Sequence, residues 1–312
     1  MSLSPAEPTV QVEQLQKSFG PVRAVTGVSF EVYPGEVFGL LGPNGAGKTT
    51  SIRMMLDIFR PDAGRVAVFG GPMDEAKKNR IGYMPEERGL YRDLRLEQTL
   101  VYLATLKGLA EPAARREVTG WLQRLDLHEH RHKRIQELSK GMQQKAQLIA
   151  TLAHSPDLLV VDEPFSGLDP LNTRLVKQII QEQADAGKTV IMSTHQMYQV
   201  EAMCNRIVLI DRGHSVLYGQ VDEIKRLFAG HAVAVVGTGD FGHVPGVLEA
   251  RPPGENGAWH LAVQPGVEPH ELLRTLACRP DITIDRFEIA EASLDDIFVT
   301  VVQGQRQETD DA

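Results

Sequence analysis

The sequence predicts an α/β fold with a buried parallel sheet, an inserted helical block and a small second α+β domain. Three features predict it. Charge-free apolar runs, Val37–Leu41, Leu158–Val161 and Thr189–Met192, alternate with segments of helical period, the pattern of strands covered on both faces. From about Gly89 to Ser155 the helical period takes over. After about Phe228, Gly, Pro and short β-like runs replace it.

Val10–Leu15, Val28–Val32, Val37–Leu41 and Arg65–Phe69 read as short strands bounded by Gly, Pro or Asp. From Thr49, the residues Ile52, Met55, Leu56 and Phe59 recur at i, i+3, i+4 and i+7. They form one apolar face that should pack on a sheet before Pro61 ends the helix. Ile81–Met84 is a further strand, turned by Pro85. Leu96–Leu106, Ala113–Leu125 and Gly141–Ala153 are the helices of the inserted block, and Leu171–Ala186 is a helix between two buried strands. Beyond Phe228, strands are expected at Val233–Val236, Trp259–Val263 and Ile282–Ile289, with helices at Pro269–Ala277 and Leu294–Val302. The expected domains are therefore 1–228, with a helical subdomain at about 89–155, and a small domain at 229–303. Residues 304–312 are expected as a frayed tail, because Gln303–Ala312 is polar and acidic with no apolar anchor. There is no internal repeat.

With 42% hydrophobic and 24% charged residues in a chain of 312, the composition is that of globular domains, not of a disordered chain. Thirty-three Lys and Arg against 41 Asp and Glu give a formal charge of −8. That balance argues against a general nucleic-acid or anionic-membrane binder. Cys204 and Cys278 have no metal-ligand spacing and suit a reducing compartment. No stretch approaches the ~18 apolar residues of a membrane span. Met1–Thr9 carries Glu7 and two prolines, without the apolar centre of a signal peptide. A soluble, cytoplasmic protein is expected, reaching any membrane through a partner.

Gly42-Pro43-Asn44-Gly45-Ala46-Gly47-Lys48-Thr49 fits GxxxxGK[ST], and Thr50 follows. It leaves an apolar strand and opens the amphipathic helix, the context of a phosphate-binding loop. Glycines let successive backbone N–H groups turn inward around phosphate oxygens, and the helix N-terminus adds free donors and partial positive charge. Lys48 can reach β- and γ-phosphates, and the Thr49 hydroxyl can ligate Mg²⁺. The second anchor of the metal should be a carboxylate at the end of a buried strand. Leu158–Val161 runs directly into Asp162 and Glu163: Asp162 is placed to hold Mg²⁺, and Glu163 to polarise the attacking water.

Over about residues 8 to 228 the sequence resembles the nucleotide-binding subunit of an ABC transporter, with six motifs in family order. Leu138-Ser139-Lys140-Gly141-Met142 is similar to the LSGGQ signature, and Gln143-Gln144-Lys145 follow it. Ser166-Gly167-Leu168-Asp169 is similar to the D-loop, Ser193-Thr194-His195 to the switch histidine, and Phe19 stands where an A-loop aromatic stacks on adenine. The resemblance implies a P-loop NTPase fold of the ABC type with a mixed sheet and an inserted helical subdomain. It implies ATP and Mg²⁺ as ligands, and Glu163, His195 and Lys48 as the catalytic set. It also implies that Ser139 and Gly141 bind the γ-phosphate of nucleotide held by a second subunit, in a homodimer or paralogous heterodimer. The chain is then an ATP-hydrolysing subunit that energises a separate membrane permease, lying on the inner face of the cell membrane. No nucleic-acid partner is expected.

Two departures stand out. Glu86 occupies the position of the Q-loop glutamine. A carboxylate there either ligates Mg²⁺ more strongly than an amide and adds negative charge near the γ-phosphate, or is a plain surface acid after a slip of register. In the signature, Lys140 and Met142 replace a glycine and a glutamine, while Ser139 and Gly141 keep the phosphate-facing donors. With the Pro85–Tyr91 run and the ending Leu294-Asp295-Asp296-Ile297-Phe298, these variants resemble an export-type branch that includes sodium- and drug-efflux ATPases. The segment from Gly89 to about Lys107 is expected to face the permease, with Tyr91 and Leu94 as contacts. Two rival functions are a soluble ABC ATPase acting on a ribosome, DNA or a protein assembly, and a nucleotide-binding module that hydrolyses poorly. His128, His130 and His132 invite a metal-site reading, but Arg131, Lys133 and Arg134 crowd the same turn and repel a cation.

Overall fold

The computed structural model describes residues 7–87, 89–228, 232–253, 257–264, 266–289 and 293–310, the last eight of these by backbone alone. Arg88, inside the Pro85–Tyr91 run, and the final residues 311–312 lie outside this set. By contacts the chain divides into two units, 1–195 with 203–215, and 196–202 with 216–312.

The first unit opens with strands β1 (Val10–Phe19), β2 (Val22–Val32) and β3 (Val37–Leu41) and helix α1 (Lys48–Met55). It continues with β4 (Ala63–Val68), α2 (Glu75–Asn79) and β5 (Ile81–Met84). The helical block is α3 (Leu96–Leu106), α4 (Glu111–Arg124) and α5 (Lys140–Leu152), with two short 3₁₀ turns before α5. Then come β6 (Leu158–Asp162), α6 (Pro170–Asp185), β7 (Thr189–Thr194), α7 (Met197–Glu201), β8 (Arg206–Asp211) and β9 (His214–Gln220).

These strands form two sheets. A three-stranded antiparallel sheet, β2-β1-β4, packs its Val10, Val12, Leu15, Val28 and Phe30 into one core with α1 and with Phe38 and Leu40 of β3. The six-stranded sheet runs β5-β6-β7-β3-β8-β9, and the pairs β5–β6, β6–β7, β7–β3 and β3–β8 are all parallel. Every residue of β3, β6 and β7 is buried, which explains why those runs read as charge-free in the sequence. Crossover helices on a parallel sheet place all strand C-termini at one edge, where ligands bind such folds. β3, β6 and β7 lie side by side there, with Leu41 level with Thr194 and Asp162 level with Ser193.

The second unit holds α7, most of β9, then α8 (Val221–Leu227), β10 (Ala232–Thr238), β11 (Val247–Arg251), β12 (Trp259–Val263), α9 (Pro269–Ala277), β13 (Thr283–Ile289) and α10 (Leu294–Asp310). Its strands form an antiparallel sheet in the order β11-β12-β10-β13. Val233, Val235, Phe241, Leu261, Leu272 and Leu276 make its core, so it has a hydrophobic centre of its own. The expected boundary at Phe228 falls inside this unit, because α8 and the segment 196–202 belong to it as well. The expected tail requires a correction: α10 continues through it to Asp310. Once Leu294, Ile297 and Val302 are buried, the Gln, Arg and Glu residues that follow are good helix formers and extend the helix at little cost.

Candidate active site

The phosphate loop spans β3 and α1, and two of its glycines are dictated by backbone geometry. Gly47, the residue before α1, has φ +109°, and a Cβ on it would stand 2.6 Å from the Ala24 carbonyl oxygen. Gly42 has φ +145°, and its Cβ would meet the Ile210 carbonyl at 2.0 Å. Any side chain at either place would force the loop off β2 or β8. Lys48 folds its ammonium back over the loop, donating to the carbonyls of Gly42 (2.7 Å) and Pro43 (3.1 Å). Burial holds its pKa below the ordinary lysine value, against the opposite pull of Glu163, Asp162 and Glu86.

At the end of β6, Asp162 is 1% exposed. It accepts from the Thr49 hydroxyl at 3.0 Å and, through its other oxygen, from the Ser193 hydroxyl. Glu163, one residue on, has φ +50°, a left-handed conformation that costs a non-glycine residue roughly 1–3 kcal/mol. Its backbone N–H is fixed on the Ser193 carbonyl at 3.0 Å. The carboxylate accepts three more bonds from the end of β7: the His195 N–H at 3.0 Å, His195 Nδ1 at 2.8 Å and the Thr194 hydroxyl at 3.2 Å. The strained backbone thus turns Glu163 out of the strand into a cluster that holds its carboxylate in one orientation.

A cavity of about 260 Å³ is lined by Asn44, Gly45, Ala46, Gly47, Lys48, Thr49, Thr50, Glu86, Asp162, Glu163 and Ala24. Of the residues predicted from sequence, ten therefore meet in one cleft. Gly42 and Pro43 close its rim through Lys48, and His195 borders it through Glu163. Glu86 is exposed and opens into this cleft. Phe19 lies elsewhere, at the β1–β2 turn, 44% exposed and edge-on to Phe59 at 5.5 Å. Ser139, Gly141 and Asp169 do not line the cleft either. Ser139 caps α5 by accepting the Met142 N–H at 3.3 Å, and Asp169 caps α6 through the Asn172 N–H at 2.9 Å. A Cβ on Gly141 would meet Leu168 at 3.9 Å and the Gly167 carbonyl at 4.0 Å, ordinary contact distances, so the signature start neighbours the 166–169 turn.

The donor set fits a nucleotide with a hard cation. An inward-turned loop, a lysine and a helix N-terminus suit phosphate, and a Thr hydroxyl paired with a buried Asp supplies oxygen ligands of the kind Mg²⁺ takes. Among the described residues no three His, Cys, Asp or Glu side chains gather closely enough to hold a metal on their own.

Sequence reasoning missed the glutamines that carry the loops of this site. Gln147 of α5 donates to the carbonyls of Pro85 (2.6 Å) and Glu87 (3.2 Å), flanking Glu86, and Gln144 donates to the Pro164 carbonyl (3.3 Å) just past Glu163. Gln144, Lys145 and Gln147 are all buried. The signal was available: three polar residues sit where the helical period of α5 calls for a core face.

Comparisons with known proteins give the family. Residues 25–166 match the family described as ABC transporter, and residues 219–302 match the C-terminal domain of DrrA1-3-like ATP-binding proteins. The uncharacterised ABC transporter ATP-binding protein YhaQ of Bacillus subtilis is 36% identical over 294 residues, 93% of this chain and 97% of its own length. The Nod factor export ATP-binding protein I of Paraburkholderia xenovorans is 36% identical over 216 residues, 68% of this chain and 71% of its own. A solved ATP-binding subunit of an ABC transporter superposes with a TM-score of 0.66 at 30% identity, covering 70% of this chain and 93% of that one. The chain belongs to the ATP-binding proteins of ABC transporters, a family that binds ATP and hydrolyses it in transport.

Proposed function

We propose that this chain powers a separate membrane permease in an exporter, as a dimer with ATP and Mg²⁺ between its subunits on the cytoplasmic face. One observation carries the reading: the ends of β3, β6 and β7 bring a lysine and threonine, two acids and a histidine to a single cleft. Lys48 and the loop amides bind phosphate. Thr49 and Asp162 are the residues to hold Mg²⁺, which when bound supplies positive charge against the phosphates. Glu163 takes the proton of the attacking water, and His195, through its N–H and Nδ1, keeps that carboxylate aimed. Ser139 and Gly141 lie outside the lining of their own cleft and open a helix whose N-terminus suits phosphate, the place for donors to nucleotide in a second subunit.

Export is supported by the DrrA-like C-terminal match and by the printed function of the Nod factor relative. Among the described residues no helix is long and apolar enough to cross a membrane; the membrane partner is supported by the relatives, which are ATP-binding proteins of transporters. A cavity of about 430 Å³ between the Glu86 loop and the helical block, bordered by Leu90, Leu103, Leu106 and Lys107, is where that partner docks, with exposed Tyr91 and Leu94 nearby in sequence.

The test is phosphate release by purified protein. Glu163→Gln is expected to keep ATP binding and lose turnover by roughly 10²–10⁴-fold, whereas Lys48→Ala loses binding itself. Turnover equal to wild type in Glu163→Gln refutes Glu163 as the base. Purification that never recovers a multi-span membrane protein with the chain refutes the transport role.

A further inference from the structure

Within the first unit, α5 lies along the free edge of the six-stranded sheet. β5 ends the strand order and pairs on one side, with β6. Carbonyls on its other side meet side chains from α5 and just past it. His154 Nε2 donates to Ile81 at 3.1 Å, and the Thr151 hydroxyl donates to Tyr83 at 3.4 Å. Gln147, one turn nearer the helix start, donates to Pro85 and Glu87. Residues 81, 83, 85 and 87 alternate as the outward carbonyls of an edge strand do, so the helix covers an edge that would otherwise stay open. The last two of them lie past β5, which ends at Met84, level with Val161, so the chain leaves the sheet beside Asp162. The Gln147 amide therefore brackets Glu86, which lines the cleft with Lys48, Thr49 and Asp162. Gln147 is 4% exposed, and its Oε1 is buried without a partner among the described residues. An amide half satisfied in the core is a poor choice for stability, and its other half needs a task to explain it.

We propose that Gln147 is a positioning residue for Glu86, holding that carboxylate at the cleft so that, with Thr49 and Asp162, it sets the affinity for the cation. The proposal rests on the assignment of Thr49 and Asp162 given above. Glu86 and Glu87 are both exposed, so a loop released from Gln147 can carry its acids out to solvent. The two bonds to the flanking carbonyls, at 2.6 and 3.2 Å, oppose that release. With Glu86 kept in place, the cleft holds one more negative charge beside Lys48. That charge favours a divalent cation and disfavours bare triphosphate. Residues that orient a metal's carboxylates typically change its affinity by about 10–100-fold when they are lost.

The experiment is a double-mutant cycle on the full chain with a non-hydrolysable ATP analogue. Mn²⁺ is the probe, counted by loss of the free-ion EPR signal with protein in excess over analogue. Gln147→Met and Glu86→Gln are each expected to weaken Mn²⁺ binding roughly tenfold, and the double variant to be no weaker than either, because both act through one carboxylate. Gln147→Met should also tighten metal-free binding of the analogue, as removal of the Glu86 charge does, an effect that a merely loosened fold would not produce. Where Trp121 fluorescence shows Gln147→Met unfolded, Gln147→Asn, whose amide falls one methylene short, decides by the same readings with an intermediate loss. Wild-type Mn²⁺ affinity in Glu86→Gln or in the folded Gln147 variant, or losses that multiply in the double variant, overturns the inference while leaving the cleft assignment standing. Wild-type Mn²⁺ affinity in Asp162→Asn brings down that assignment, and this inference with it.

Discussion

His154 offers the clearest test of how the interior of the first unit is built. It stands just beyond α5, 8% exposed, with Nε2 donating to the Ile81 carbonyl at 3.1 Å and Nδ1 buried without a partner among the described residues. A second ring proton would have nowhere to go. Burial, reinforced by Lys107 and Lys188, pushes its pKa down from 6.5 to about 4, although the bond to Ile81 pulls the other way. The unfolded chain therefore takes up a proton near pH 6.5 that the folded chain refuses until about pH 4. Stability is whole above the unfolded value, falls as pH drops through the interval, and levels off below the folded one. At about pH 5 the loss comes to roughly 2 kcal/mol. Urea unfolding followed by Trp121 fluorescence, in a Trp259→Phe background so that only the first unit reports, measures it. His154→Gln, which keeps a donor for Ile81 and cannot titrate, should lose about 2 kcal/mol less between about pH 7.5 and pH 5. Equal acid sensitivity in the two proteins would refute a neutral, desolvated His154.

Two further outcomes follow from the cleft. Glu86 adds a third carboxylate around Lys48, so Glu86→Gln should bind metal-free ATP more tightly, by about fivefold, and gain less on addition of Mg²⁺; calorimetry with and without chelator checks both. Gly47→Ala pushes a methyl to 2.6 Å from the Ala24 carbonyl at φ +109°, so a fluorescent ATP analogue should lose binding more than tenfold, while second-unit unfolding, read from Trp259, stays unchanged.

What the sequence disclosed was whatever local physics determines. β3, α3, β12 and α9 lie where periodicity put them, because each is a complete apolar pattern bounded by a turn residue. The phosphate loop was legible for the same reason, since its glycines and helix N-terminus act within eight residues. Long-range pairing was hidden. Nothing in Arg206–Asp211 announces a strand parallel to β3, and it is the Ile210 carbonyl on that strand that makes Gly42 obligatory. The return of the chain to the second unit at 196–202 was equally silent, since α7 is too short to carry a period and its partners lie some ninety positions away.

The buried glutamines of α5 tie two loops of the site to one helix. A polar side chain buried in a helix is tolerated when its hydrogen bonds are made; the amide N–H groups of Gln144 and Gln147 donate to the main chain of two loops rather than to each other, while Gln147 Oε1 stays buried without a partner among the described residues. One loop follows Glu163 and the other carries Glu86, and both face the chain's own cleft. The same helix begins at Ser139, the end assigned to nucleotide held by the other subunit. An α-helix of 13 residues transmits displacement along its axis with little compliance, because its backbone bonds and side-chain packing resist shear. Within about three turns the helix therefore links its Ser139 end to Pro85, Glu87 and Pro164. An apolar residue at 144 or 147 would fill the same volume and leave those carbonyls unpaired.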